Sequence, residues 1–152
     1  MTVADRLAEL GLVLPAVAAP VAAYVPAVRS GNLVWTSGQL PFVDGTLATT
    51  GKVGAEVDAA TAAALARTCA LNALAAIAAE LGDLERVRRV VKVVGFVASA
   101  PGFFGQPGVV NGASELLADV FGEDGRHARS AVGVAALPLD APVEVEVVVE
   151  VG

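Results

Sequence analysis

Several residue types are nearly missing from this chain. In 152 residues there is one cysteine, one histidine, one tryptophan and one tyrosine. A lone Cys69 excludes an internal disulfide, and no Cys-x-x-Cys pair offers a metal knuckle. A lone His127 excludes a cluster of histidine ligands. No apolar run reaches the roughly 18 residues that span a bilayer. Residues 61–79 come closest, but they hold Arg67, Thr68 and Asn72. Basic residues are also scarce: 10 Lys and Arg against 16 Asp and Glu give a net charge of −6. Without a basic stripe, nucleic acid is not an expected partner. An acidic chain that binds an anion must do so locally, through one placed arginine. Residues 1–15 lack the continuous apolar stretch of a signal peptide. The expectation is a cytoplasmic protein without a membrane partner.

What the chain has in excess is alanine and valine. It is 55% hydrophobic, with a mean hydropathy of +0.67. That is high for one domain of this size, and it predicts a subunit that buries a second face against copies of itself.

Residues 3–11 read as a short amphipathic helix with Val3, Leu7 and Leu10 on one side, ended by Gly11 and Pro15. Residues 15–23 hold two prolines and no cap, so an extended connector is expected. Two β-rich runs, 24–29 and 33–36, flank Ser30-Gly31-Asn32 and predict a hairpin. Residues 46–55 read as loop. The main helix is expected over 56–81, with Val57, Ala60, Ala64, Leu71, Leu74, Ala75, Ala78 and Leu81 on its buried side and Gly82 as its stop. Residues 87–98 form a Val-rich strand, 101–107 a loop with Phe103 and Phe104, and 109–121 a second helix. Two further strands close the chain. Strands bracketing each long helix predict an α+β domain, a mixed sheet with two helices on one face.

The last two strands carry the sharpest chemical signals. Val143, Val145 and Val147 alternate with Glu144 and Glu146, and period two sends the glutamates to one face. Arg129 shares a face with Ala131, Gly133 and Ala135, so beyond the arginine that face is nearly empty of side chain. Arg129 reads either as a salt-bridge partner for Glu144 or as a planar clamp for a ligand carboxylate. Glu144 reads either as a solvated edge residue or as a base that activates water. Ser37-Gly38 follows a strand with no nucleophile elbow around it, so turn chemistry competes with a small polar-ligand contact. Tyr24 is a core ring or a cover for a small planar ligand. Asn111 is a helix cap or a ligand contact, His127 a turn residue, and Cys69 inert packing.

Tyr24, the run Gly31-Asn32-Leu33-Val34-Trp35-Thr36-Ser37-Gly38-Gln39-Leu40-Pro41, Val110-Asn111, Ala128-Arg129-Ser130, Leu137-Pro138 and Val143-Glu144-Val145-Glu146 together resemble the RidA/YjgF family. The likeness covers nearly the whole chain from about residue 20. The helix before it, together with Val91-Lys92-Val93-Val94-Gly95-Phe96-Val97 and His127-Ala128-Arg129-Ser130-Ala131-Val132-Gly133, resembles a longer subgroup. The resemblance implies a single domain over 1–152 with 1–20 as an N-terminal extension. It also implies a chorismate-mutase-like fold and a homotrimer whose sheets form an inner barrel, with ligand clefts between subunits. Typical members hydrolyse enamine and imine intermediates to 2-oxo acids and ammonia, with neither metal nor cofactor.

By position, Arg129 would clamp the substrate carboxylate and Glu144 would position or activate water. Tyr24, Ser37, Gly38, Asn111 and Ala131 would shape the cleft. Family members commonly have Cys where this chain has Ala131, and often Glu where it has Gly133. Both departures enlarge the expected cleft. A non-catalytic trimer that binds small carboxylates or 2-oxo acids is the competing expectation.

Overall fold

The computed structural model describes residues 1–19 and 22–152. Residues 20 and 21, within the expected connector and at the end of the expected extension, lie outside that description. The chain runs α1 (Val3–Glu9), β1 (Ala27–Ser30), β2 (Leu33–Thr36), α2 (Ala59–Leu81), β3 (Val87–Ala98), α3 (Gln106–Phe121), β4 (Ala128–Val134) and β5 (Val143–Val151). The five strands form one mixed sheet in the order β1-β2-β5-β3-β4. Only β3 and β4 pair in parallel, joined by the crossover through α3, as parallel neighbours require. The hairpin forms, but its first strand is Ala27–Ser30 rather than 24–29, so Ser30 pairs with Leu33 and the turn shrinks to Gly31-Asn32, with Gly31 at φ 62°.

Helix α2 packs on β5, β1 and β2, and α3 on β3 and β4, so both lie on one face. The core between helices and sheet takes Val143, Val145, Val147, Val149 and Val151 from β5, Val90, Val93 and Val97 from β3, and Leu116, Leu117 and Val120 from α3. The valine and glutamate faces of β5 are therefore divided as period two requires.

Three details of the helices also depart from expectation. Helix α2 starts at Ala59, where the Asp58 side chain accepts from the Thr61 N–H. Val57, Leu74, Ala75 and Leu81 are buried as expected, but the helix also buries Ala62, Ala66, Cys69, Ala70, Ala73, Ala76 and Ile77, whereas Ala60 and Ala64 are exposed. Alanine on every side gives such a helix no strong hydrophobic phase, so packing decides its rotation. By length and composition α2 is apolar enough to cross a membrane, yet here it is a core helix between sheet and α3. Helix α3 begins at Gln106 rather than 109, because Pro107 in a first turn forgoes only an N–H that has no helical partner.

Helix α1 is tied in. Leu7 joins the core, and the Glu85 carboxylate accepts from the N–H groups of Val3 and Ala4 at the positive end of the helix. Among the described residues, Asn72 is a buried side-chain amide (2% exposed) whose Nδ2 donates to the carbonyls of Leu40 and Phe42, both at 3.0 Å. It fastens the segment after β2 to α2.

The sheet's other face carries no helix. Val28, Trp35 and Val148 are cross-strand neighbours there, as are Glu144, Phe96 and Val132. Val28 and Trp35 are 52% and 51% exposed.

Candidate functional site

The predicted residues fall into two groups on opposite sides of the sheet. The first surrounds Arg129, on the edge strand β4 and facing α3. Its Nη1 donates to Asn111 Oδ1 at 2.7 Å and to Ser114 Oγ at 3.2 Å, and its Nη2 donates to the Pro107 carbonyl at 3.1 Å. A guanidinium has five N–H donors. Three are used here, so Nε–H and one Nη2–H remain for an anion. Asn111 thus lies inside α3, not at its cap.

Ser114 and His127 complete this group, and sequence reasoning gave neither a role in it. His127 Nδ1 lies 2.6 Å from the Gly125 carbonyl, which can only accept, so this nitrogen carries a proton. In the neutral ring Nε2 then accepts from the Ser114 hydroxyl at 2.8 Å. Ser114 Oγ in turn accepts from Arg129, so strand, helix and turn are linked through one chain of hydrogen bonds. Two local signals were present. Asn111 and Ser114 are three apart on one helix, and His127 comes just before β4, two residues from Arg129.

The small residues beyond Arg129 are not an open wall. Ala131 packs against the core, and a side chain at Gly133 would meet Gln106 Nε2 and Ser99 Oγ. That strip is small because the start of α3 sits on it.

The second group lies around Glu144. After Trp35, paired with Val148, the chain leaves the regular ladder. Thr36 Oγ1 accepts from the Val147 N–H at 3.0 Å, and Gln39 and Val145 exchange backbone bonds of 2.8 and 3.0 Å. Between those pairs the Ser37-Gly38 side uses one residue more than β5, and the resulting bulge lays Gly38 on the Glu144 carboxylate. A Cβ at Gly38 would collide with Glu144 Oε2. Ser37 Oγ donates to the Val25 carbonyl at 2.6 Å.

Tyr24, Ser37, Gly38 and Glu144 line one cavity of about 450 Å³, together with Ala18, Ala19 and Ala22. Its volume is that of a small-molecule site. Burial pushes the Glu144 carboxyl above the ordinary glutamate range, and the Glu146 charge beside it adds to the effect. Burial likewise raises the Cys69 thiol, with a contribution from Glu144. Its Sγ sits 3.7 Å from the Val143 carbonyl, an inert packing position.

Arg129 and Ala131 do not line this cavity, and β3 lies between β4 and β5. An Arg129–Glu144 salt bridge is therefore absent: the ion pairs among the described residues are Arg67–Asp119 and Arg126–Glu123. No group of three or more His, Cys, Asp or Glu stands together as a metal site among the described residues. Phe103 packs against the core, whereas Phe104 is 86% exposed.

Residues 4–151 match the family described as YjgF/chorismate mutase-like, putative endoribonuclease. Protein TCP17 of Trypanosoma cruzi is 51% identical over 149 residues, 97% of this chain and 93% of its own. The crystal structure of Atu1372 from Agrobacterium tumefaciens, of unknown function, is 54% identical with a TM-score of 0.91, covering 99% of this chain and 92% of that one. A putative endoribonuclease of Shewanella oneidensis is 33% identical with a TM-score of 0.96, covering 99% of this chain and all of its own.

Proposed function

Since the chain belongs to the YjgF/chorismate mutase-like family, we propose that it hydrolyses small enamine and imine intermediates to 2-oxo acids and ammonia. The observation that carries this is a pair of complementary half-sites. One is a cation with two donors to spare, fixed by α3. The other is a half-buried carboxylate in a cavity lined mostly by apolar residues. They sit on opposite sides of one sheet, so a cleft between copies of the chain is where they meet.

The uncovered sheet face supports such an assembly. Exposed Val28, Trp35 and Val132 on one face are more than a lone domain normally leaves in water. A homotrimer with that face inside buries them, and sets Arg129 of one copy toward Glu144 of the next.

The chemistry then needs little. Arg129 holds the substrate carboxylate bidentately. Glu144 takes a proton from water as its oxygen bonds to the carbon of the protonated imine and the C=N π electrons pass to nitrogen, giving a neutral carbinolamine. Return of that proton to nitrogen lets the C–N bond break, and ammonia leaves as the carbinol O–H gives its proton back to Glu144 and the carbonyl forms. Orientation beside an already electrophilic carbon supplies most of the effect, and no step calls for a metal or cofactor. Charge disfavours an RNA substrate: the chain carries −6, and among the described residues lining the cavity Glu144 is the one ionisable side chain besides Tyr24. The single buried Cys69 suits a reducing compartment, and we place the activity in the cytoplasm.

Ammonia release from 2-imino acids freshly generated by an amino-acid oxidase tests the activity. Failure across small, branched and aromatic side chains would sink it. A sedimentation mass of one subunit rather than three would remove the shared cleft.

A further inference from the structure

We infer that the substrate's own side chain is apolar, and that the arm of residues 12–19, with Ala22, forms the wall that selects it. This rests on the imine hydrolysis proposed above and names the substrate class of the same cavity. The cavity, about 450 Å³, is far larger than an imine carbon and a water need. Its described lining offers no cation, so the ligand's carboxylate lies outside it, on Arg129, and what enters is the rest of the molecule.

Two polar side chains of the lining are already committed. Ser37 donates its hydroxyl to the Val25 carbonyl, and Gln39, 5% exposed, turns its amide to the Ser37 carbonyl at 3.4 Å. Glu144 is reserved for water. Besides Tyr24 and Gly38, the rest of the described wall is Ala18, Ala19, Ala22, Pro26, Leu40, Phe42 and Pro138. A polar side chain pressed against it exchanges water for nothing, whereas an aliphatic or aromatic one gains by leaving water.

The start of the arm is held in place. The Leu12 N–H donates to the Leu7 carbonyl at 2.9 Å, and Leu12 and Leu14 pack against the core. Ala19 and Ala22, by contrast, are exposed on the cavity rim. Leucine at either position fills the cavity without entering the core.

The test uses stable 2-oxo acids as product analogues, titrated calorimetrically into the full-length protein. Affinity is expected to rise about tenfold or more from pyruvate to 4-methyl-2-oxovalerate, and 2-oxoglutarate, of similar length but charged, is expected to bind less tightly than either. Ala19→Leu and Ala22→Leu should weaken the long apolar acid about tenfold more than pyruvate. A flat series, a preference for 2-oxoglutarate, or equal weakening of all acids by both variants overturns the inference. Ammonia release from the matching imino acids is followed in parallel. Graded binding without ammonia leaves the apolar wall standing and removes the hydrolase. Ammonia release with a flat series does the reverse, and no binding at all removes both.

Discussion

The Arg129 guanidinium and the Glu144 carboxylate are set on opposite faces of one sheet, with β3 between their strands. Neither group is finished where it stands. Arg129 keeps two N–H donors beyond those given to Asn111, Ser114 and Pro107. Glu144 sits in a cavity with no cation among its described lining residues.

Complementation between inactive variants follows from that division. Arg129→Ala and Glu144→Gln are each expected to lose imine turnover. Refolded together at equal amounts they should recover about a quarter of the wild-type clefts, because a cleft needs one intact half from each of two neighbours. Activity of the mixture no higher than either parent would place both groups in a single subunit's site.

Ser114 acts through Arg129. Ser114→Ala removes one anchor of the guanidinium and the hydroxyl that His127 accepts. A lost hydrogen bond to a charged group costs about 1.5–3 kcal/mol at most. KM should therefore rise about tenfold with kcat little changed, and Ser114→Thr should restore it. Arg129→Lys should not rescue Arg129→Ala, since an ammonium lacks the planar fork. Equal falls in kcat for Ser114→Ala would argue for a direct part in the chemistry instead.

The pH profile reports on Glu144. Burial first, and the Glu146 charge second, raise its carboxyl. The acid limb of kcat/KM should lie above the usual glutamate pKa of about 4.3. Glu146→Gln removes the second cause and should move that limb to lower pH. Stability follows the same sign. The folded state holds this proton more tightly than the unfolded chain, so ionisation costs stability as pH rises from the unfolded value through the folded one. Glu144→Gln should therefore raise Tm at pH 7 and lose that advantage in acid. A limb unmoved by Glu146→Gln assigns it to another group.

Gly38 keeps the carboxylate where it is. A methyl group there would overlap Glu144 Oε2, the far end of a flexible side chain. Gly38→Ala should displace the carboxylate and lower kcat tenfold or more by misplacing the base, while Tm changes little. A large fall in Tm with normal kcat per folded molecule would make Gly38 structural only.

Gly112 and Asn72 are structural by contrast. A Cβ on Gly112 would strike the Ala63 carbonyl, a backbone atom of α2 that cannot step aside. Gly112→Ala should cost about 1–3 kcal/mol by forcing the helices apart. Asn72→Leu leaves the Leu40 and Phe42 carbonyls without their donor and should cost a similar amount. Denaturant unfolding of the two variants measures both.

The sequence by itself determined what is local and periodic. The alternation of valine and glutamate over 143–147 settled which side chains of β5 face the core. The Ser-Gly-Asn turn settled the hairpin, and the Val-rich run over 87–98 settled β3 to the residue. The motif residues settled the family. The tertiary structure decided what no local period encodes. Strand order and register are one such matter: β3 between β4 and β5 keeps Arg129 and Glu144 from being neighbours, and pairing Arg129 with core-facing Val93 but Glu144 with Phe96 puts them on opposite faces. The rotation of α2 is another, because a helix with alanine all round presents no preferred side until sheet and α3 close on it. The link from Gly125 through His127 and Ser114 to Arg129 joins a turn, a helix and a strand, and only their packing brings those three together.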